Sequence, residues 1–173
     1  MNNNNVLTRR KESRTTWDWL CDAQTQIERA AQFCGAAATA VQADCAASVV
    51  LGIVDQAALA VRRGLTALEF NDHADPLFDT ANELAAAYFE FHGALSVARA
   101  AIATGLEVPD RQTDFPVSCL LRVLAGRAGD DCDKGLSAQV ELALRECGHY
   151  ERRHGRLPES TRILDEPDTH SAR

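Results

Sequence analysis

The segment from Cys147 to His154 has the residue types and spacing of a possible metal site. Glu151 and His154 have the Glu-x-x-His spacing with which carboxylate-bridged di-iron bundles place two ligands on one helix face. That chemistry also needs a second Glu-x-x-His and two further carboxylates, and we expect no second copy to complete it. The same residues, followed by Gly155, are typical of a helix C-terminus, where cations favour the negative end of the helix dipole.

Cysteine and histidine side chains in the same segment suggest a zinc site as a further possibility, together with Cys119 or Cys132. Structural zinc sites usually contain closely spaced ligand pairs, whereas Cys147 and His149 point about 160° apart on one helix. A metal-binding or redox-active helical bundle is therefore the alternative function to weigh. Its residues would be Cys147, His149, Glu151 and His154.

Two other candidate sites contain reactive residue types but lack the further ligands or catalytic residues that the chemistry needs. The run Asp130–Asp133 resembles part of a calcium loop or of a diphosphate-Mg²⁺ site. Counted from Asp131, the calcium pattern requires an acid at its twelfth position, where Leu142 stands. His92 could act as a general base, but local spacing places no nucleophile or acid beside it, so a half-buried structural position is expected. The sequence thus predicts no enzyme active site and no cofactor.

The elements that carry these residues are helices, since apolar residues recur at helical spacing and no hairpin signal is present. Thr15 and Asp18 predict a capped start of the first helix, and Gly35 a stop or kink. The Asp75-Pro76 pair predicts the start of the third helix. The expected fold is an all-α, single-domain helical bundle of four main helices plus one short helix. The five predicted helices span 15–35, 36–70, 75–105, 117–125 and 137–154.

The second and third of these helices have distinct polar patterns. Polar residues of 36–70 occupy a narrow stripe, which predicts a central helix buried on most sides. On the third helix, Asp79, Glu83 and Glu90 form an acidic ridge (the name used below for these three residues) opposite a buried apolar stripe. Trp17 and Trp19 point about 160° apart on the first helix, so one of them is expected as an exposed anchor.

Composition and charge limit the class of protein. Apolar residues make up 46% of the 173 residues, which predicts a packed core, and the net charge is −7. A basic arm, residues 1–14, and a C-terminal tail, residues 156–173, are expected to be disordered and flexible, with the bundle domain at 15–155. The acidic body makes nucleic-acid binding unexpected except through the basic arm.

Cysteine usage and hydropathy give an expected location. The six cysteines contain no Cys-x-x-Cys pair, Met1–Arg14 contains no apolar leader segment, and no stretch is long enough to span a membrane. These features predict reduced thiols, a cytoplasmic location and no membrane partner.

The function that this pattern favours is a small acidic cytosolic protein-binding module. Regulators, inhibitors, immunity or anti-defence factors and chaperones are proteins of this kind. The expected partner is another protein with a basic surface, while the oligomeric state stays open. The expected contact residues are Asp79, Glu83, Glu90, Trp17 and Trp19.

Overall fold

The architecture is a bundle of α-helices. A computed structural model of the protein describes residues 14–39, 43–69, 75–103, 115–129, 135–155 and 157. Its helices are α1 (Thr16–Ala38), α2 (Ala43–Glu69), α3 (Asp75–Ala103), α4 (Phe115–Ala128) and α5 (Leu136–His154). No residue within these ranges lies in a strand. The predicted all-α bundle of four main helices and one shorter helix, α4, is confirmed.

Two helix ends follow the local signals in the sequence. At the start of α1, the Thr15 hydroxyl accepts the Asp18 N–H at 3.1 Å, and the Asp18 carboxylate accepts the Thr15 N–H at 2.8 Å. This reciprocal capping box satisfies backbone donors that a helix start leaves free. At the end of α5, Gly155 has a φ of 89°, a left-handed conformation that glycine adopts without steric cost. Its N–H donates to the Glu151 carbonyl.

Two other boundaries differ from the prediction. Helix α1 continues through Gly35 to Ala38, because burial of Ala37 and Ala38 in the core stabilises another turn of helix. Residues 36–38 therefore belong to α1, and α2 begins at Ala43. Helix α4 runs from Phe115 to Ala128, longer at both ends than predicted, and its last residue is fully buried.

The core lies between helices that each contact several others. Helices α1 and α3 both pack against α2, α4 and α5, while α2 packs against α1, α3 and α4. The central position predicted for the second helix is therefore shared with α1 and α3. The largest fully buried side chains come from all five helices and include Trp19, Phe91, Leu20, Ile27, Val61, Leu84, Leu124 and Leu136.

The packed region extends beyond the last helix. Leu157 is only 2% exposed and belongs to the core, and its N–H donates to the Glu151 carboxylate at 3.2 Å. The bundle therefore reaches two residues past the predicted boundary at 155. The predicted arm, apart from Arg14, and the other tail residues lie outside the described ranges. Among the described residues, no helix combines the length and the apolar character of a membrane-spanning segment.

Candidate functional site

The metal-capable residues of α5 lie in different environments. The Cys147 thiol is fully buried, and burial raises its pKa to about 12, with smaller contributions from the carboxylates of Glu151 and Glu146. His149 is exposed, with its Nδ1 3.1 Å from a guanidinium nitrogen of Arg152. A neutral thiol in the core and an imidazole at the surface do not converge on one ion.

The two residues of the Glu-x-x-His pattern also have other contacts. The Glu151 carboxylate accepts the Leu157 N–H, and the exposed His154 ring lies 4.7 Å from the Tyr150 ring. The expectation of no second copy is wrong, because the spacing also occurs at Glu146 and His149, but this copy lies on the same helix. Within the described ranges, no three or more His, Cys, Asp or Glu side chains form a group that could hold a metal ion.

The other chemical candidates that lie among the described residues do not bring a nucleophile and a base together. Cys21, Cys34 and Cys119 are free thiols, as Cys147 is. Burial raises the pKa of Cys34 to about 12, and a neutral buried thiol is unreactive. His92 is exposed, contrary to the half-buried position expected, because it projects from the solvent side of α3. The run Asp130–Asp133 lies outside the described residues.

The two tryptophans have separate roles. Trp19 is 1% exposed, with the guanidinium carbons of Arg14 and Arg63 at 4.8 and 5.9 Å from its ring, distances at which a cation attracts an aromatic face. Trp17 is 39% exposed, and its ring packs so closely on α5 that a Cβ at Gly148 would lie 3.2 Å from it. Trp19 is therefore a core residue, and of the two only Trp17 presents substantial surface.

The acidic ridge is exposed along α3. Glu90 forms an ion pair with Arg127 of α4, a cation that sequence spacing along α3 alone could not reveal. Asp79 and Glu83 form no ion pair with a described residue. The ridge thus has one carboxylate bound to the bundle and two that face solvent.

Beside this ridge lies an apolar surface that the sequence reasoning missed. Phe78 and Phe89 are 67% and 69% exposed, and Val97 is 60% exposed. At ~100° per residue, six apolar or small residues of α3 fall within an arc of about 100° on the solvent side, together with the exposed polar residues Asn82 and Ser96. These residues, here called the α3 outer stripe, are Phe78, Ala86, Phe89, Gly93, Val97 and Ala100.

A signal for this stripe was present in the sequence. Leucine and aromatic residues occupy the core side of α3, and further phenylalanines, alanines and a valine occupy much of the opposite side. A helix that is apolar around most of its circumference is usually covered on most sides. The described helices pack against only one side of α3, and the residues of its other side are exposed.

Neighbouring helices fix both borders of the outer stripe. On the acidic border, Glu90 pairs with Arg127 of α4, and the half-exposed Val123 lies one turn before Arg127. On the other border, Arg99 pairs with Asp55 of α2. Helix α3 is thus held between α2 and α4 with its stripe outward. From position 78 to 100 the stripe is roughly 33 Å long at ~1.5 Å per residue.

Comparison with known proteins gives no match for this chain, whether to protein-family models, to curated proteins or to solved structures. Function therefore has to be inferred from the chain's own surface.

Proposed function

We propose that the chain is a small acidic cytosolic protein-binding module that acts through the outer face of α3. The observation that supports this most is the pair of phenylalanines, Phe78 and Phe89, each about two-thirds exposed on the same side of α3. Such a module performs no reaction and needs no cofactor. Regulators, inhibitors, immunity or anti-defence factors and chaperones all work by this kind of contact.

The energetic reason is the apolar area that the outer stripe leaves in water. Burying one phenylalanine side chain fully contributes roughly 1.5–3 kcal/mol, so two such side chains could supply a large part of a specific binding energy. Aromatic residues at the centre of an interface often dominate its affinity. Scattered exposed apolar residues need no explanation, but several on one face of a single helix are typical of an interaction site.

The charge pattern supports a partner with a basic surface. Asp79 and Glu83 lie beside the apolar stripe without a cation from the described part of the chain, and the whole chain carries a net charge of −7. Complementary charge would speed the encounter and fix the orientation of the partner more than it would raise affinity. Trp17 lies on α1, so it is a secondary candidate for contact.

Site-specific cross-linking in the source cells tests this proposal. A photoreactive phenylalanine analogue is placed at Phe78 or Phe89, and, as a control, at Val49 on α2, which is as exposed as Phe78. We expect both α3 positions to cross-link to the same protein, which is then identified by mass spectrometry. The control position should give no such product.

The second arm of the experiment repeats the cross-linking from position 89 with Asp79→Lys and Glu83→Lys. Loss of the product would support the role of the acidic ridge. If positions 78 and 89 give no product beyond that of position 49, the α3 outer face is not the binding surface and the proposal fails.

A further inference from the structure

We infer that the partner presents an α-helix, which lies lengthwise along the α3 outer stripe with basic side chains on the border that faces α4. This inference rests on the proposed function and specifies the partner for the same surface. The partner helix is amphipathic, with an apolar face toward the stripe and lysine or arginine along one edge.

The shape of the outer stripe favours a helix. Phe78, Phe89 and Val97 project from this face, as does the polar Asn82, while Ala86, Gly93 and Ala100, spaced seven residues apart, leave depressions between them. A Cβ added at Gly93 would meet no other atom within 4 Å, so the space above that glycine is open. Alternating projections and depressions at this spacing are what the side chains of a second helix fill.

The chemistry of the backbone argues against an extended partner. An added strand gains its affinity from main-chain hydrogen bonds to an exposed sheet edge. Helix α3 uses its backbone groups internally, and no described residue offers a strand edge. Contact must therefore be made through side chains, and a stripe of roughly 33 Å, at ~1.5 Å per residue, matches about six turns of helix.

The charges on the two borders of the outer stripe favour one rotation of the partner helix about its long axis. On the border toward α4, Glu90 is paired with Arg127, but Asp79 and Glu83 form no ion pair with a described residue. On the border toward α2, Arg99 is paired with Asp55. A partner helix with basic residues on one edge therefore gains Coulomb attraction only with that edge toward α4. Anionic lipid headgroups would be repelled by the same carboxylates, and a second copy carries a net charge of −7 itself.

Binding of designed peptides to the full chain tests the inference. The probe is a fluorescent helical peptide of about 22 residues with leucine and alanine on one face and lysine along one edge of it. A matched peptide has glutamate in place of each lysine. Fluorescence anisotropy at about 0.05 M salt should show the lysine peptide binding roughly tenfold tighter or more, and the difference should shrink at about 0.5 M salt.

A pair of glycine variants locates the binding. Gly93→Leu fills the depression in the outer stripe and should weaken lysine-peptide binding roughly tenfold or more. Gly35→Leu is the control, since Gly35 is also helical with nothing within 4 Å of an added Cβ, but lies in α1. This control variant should bind like the unmodified chain. Circular dichroism of both variants checks that the fold is kept.

Several results would overturn the inference. Equal binding of the lysine and glutamate peptides would remove the charge argument, and equal binding by the two glycine variants would place the contact elsewhere. Sedimentation of the chain alone as a dimer that Gly93→Leu dissociates would identify a second copy as the occupant. Co-sedimentation with anionic phospholipid vesicles that Gly93→Leu abolishes would identify a membrane surface.

The same experiments separate this inference from the proposed function. If cross-linking from positions 78 and 89 captures a partner but the lysine peptide does not bind, the surface is functional and the partner is not a basic helix. If neither occurs, both the function and the helix inference are wrong.

Discussion

Two helical glycines occupy opposite environments in the bundle. Gly64 faces α1 so closely that a Cβ there would lie 3.0 Å from the Leu20 side chain and 3.6 Å from the Trp19 carbonyl. Leu20 is fully buried in the core, so shifting it would disturb the side chains packed around it. Gly93, in contrast, opens to solvent on the outer stripe. One glycine permits the α1–α2 crossing, and the other shapes a surface.

The same substitution should therefore have different effects at these two positions. Gly64→Val adds bulk to a closed contact and should lower the free energy of unfolding by about 1–3 kcal/mol, the usual cost of overpacking. Gly93→Val has open space and should change it by about 0.5 kcal/mol or less, as surface substitutions do. Urea unfolding of both variants measures the difference, and equal destabilisation would contradict this account of the crossing.

Thiol reactivity should follow burial. Cys34 and Cys147 each have a pKa raised to about 12 from the ordinary value of 9.0, chiefly by burial. Because the thiolate is the reactive form, each should react about a thousandfold more slowly at mildly alkaline pH than an unperturbed thiol. Iodoacetamide labelling followed by peptide mass spectrometry should find both unmodified in the folded chain and modified in urea. Rapid labelling of either in the folded state would contradict their placement.

The raised thiol pKa values also affect stability at high pH. Above pH 9 the unfolded chain releases thiol protons that the folded state still holds. The contribution of Cys34 and Cys147 to the free energy of unfolding is therefore complete below pH 9 and declines as pH rises toward about 12. The labelling experiment is therefore best performed below pH 9, where both states keep these thiols protonated.

At the scale of elements, the start of α1 shows a purely local cause of structure. Thr15→Ala removes the hydroxyl that accepts the Asp18 N–H, and it should lower stability by about 0.5–2 kcal/mol. Thr25→Ala is the matched control, because Thr25 is an exposed mid-helix residue whose hydroxyl only donates to the Cys21 carbonyl. Thermal unfolding should place the Thr15 variant below the control. An unchanged melting temperature for the Thr15 variant would mean that the capping box is energetically unimportant.

The elements also show how much of the structure was predictable. The capping pair at Thr15 and the Gly155 end of α5 depend on neighbours within one turn, so their signals could be found in the sequence. The continuation of α1 past Gly35 depends on burial of Ala37 and Ala38 against other helices, which local spacing does not contain.

The candidate surface was predicted only in part, for the same reason. Exposure of the acidic ridge follows from the helical period of α3. The ion pair of Glu90 with Arg127 and the uncovered state of Phe78 and Phe89 depend on where α2 and α4 pack. Whether a helix face is covered is a tertiary property, so the apolar period of α3 alone could not decide it.

At the scale of the whole molecule, the effect of the acidic ridge on the association rate can be separated from the effect of the chain's net charge. Asp79→Lys with Glu83→Lys should slow association with the cross-linked partner tenfold or more at low salt, because complementary charge steers the encounter. Glu90 is left unchanged because it pairs with Arg127. Stopped-flow or surface-binding kinetics at low and high salt measure the rate.

A control variant changes the net charge by the same amount elsewhere. Glu28→Lys with Glu69→Lys alters two exposed carboxylates on α1 and α2. If this control slows association as much as the α3 variant, the effect comes from overall charge, and the acidic ridge has no specific role.

The burial of Leu157 has a consequence for where a gene encoding this bundle can be cut. A stop codon or a fusion junction placed directly after Gly155 would follow the helix boundary but remove a core side chain and the main-chain donor bound to Glu151. Loss of a buried leucine costs about 1.5–3 kcal/mol of transfer free energy, a substantial part of the ~5–15 kcal/mol that stabilises a typical domain. Chains that end after residue 157 should therefore melt at a higher temperature than chains that end after residue 155, and calorimetry of the two would show the difference.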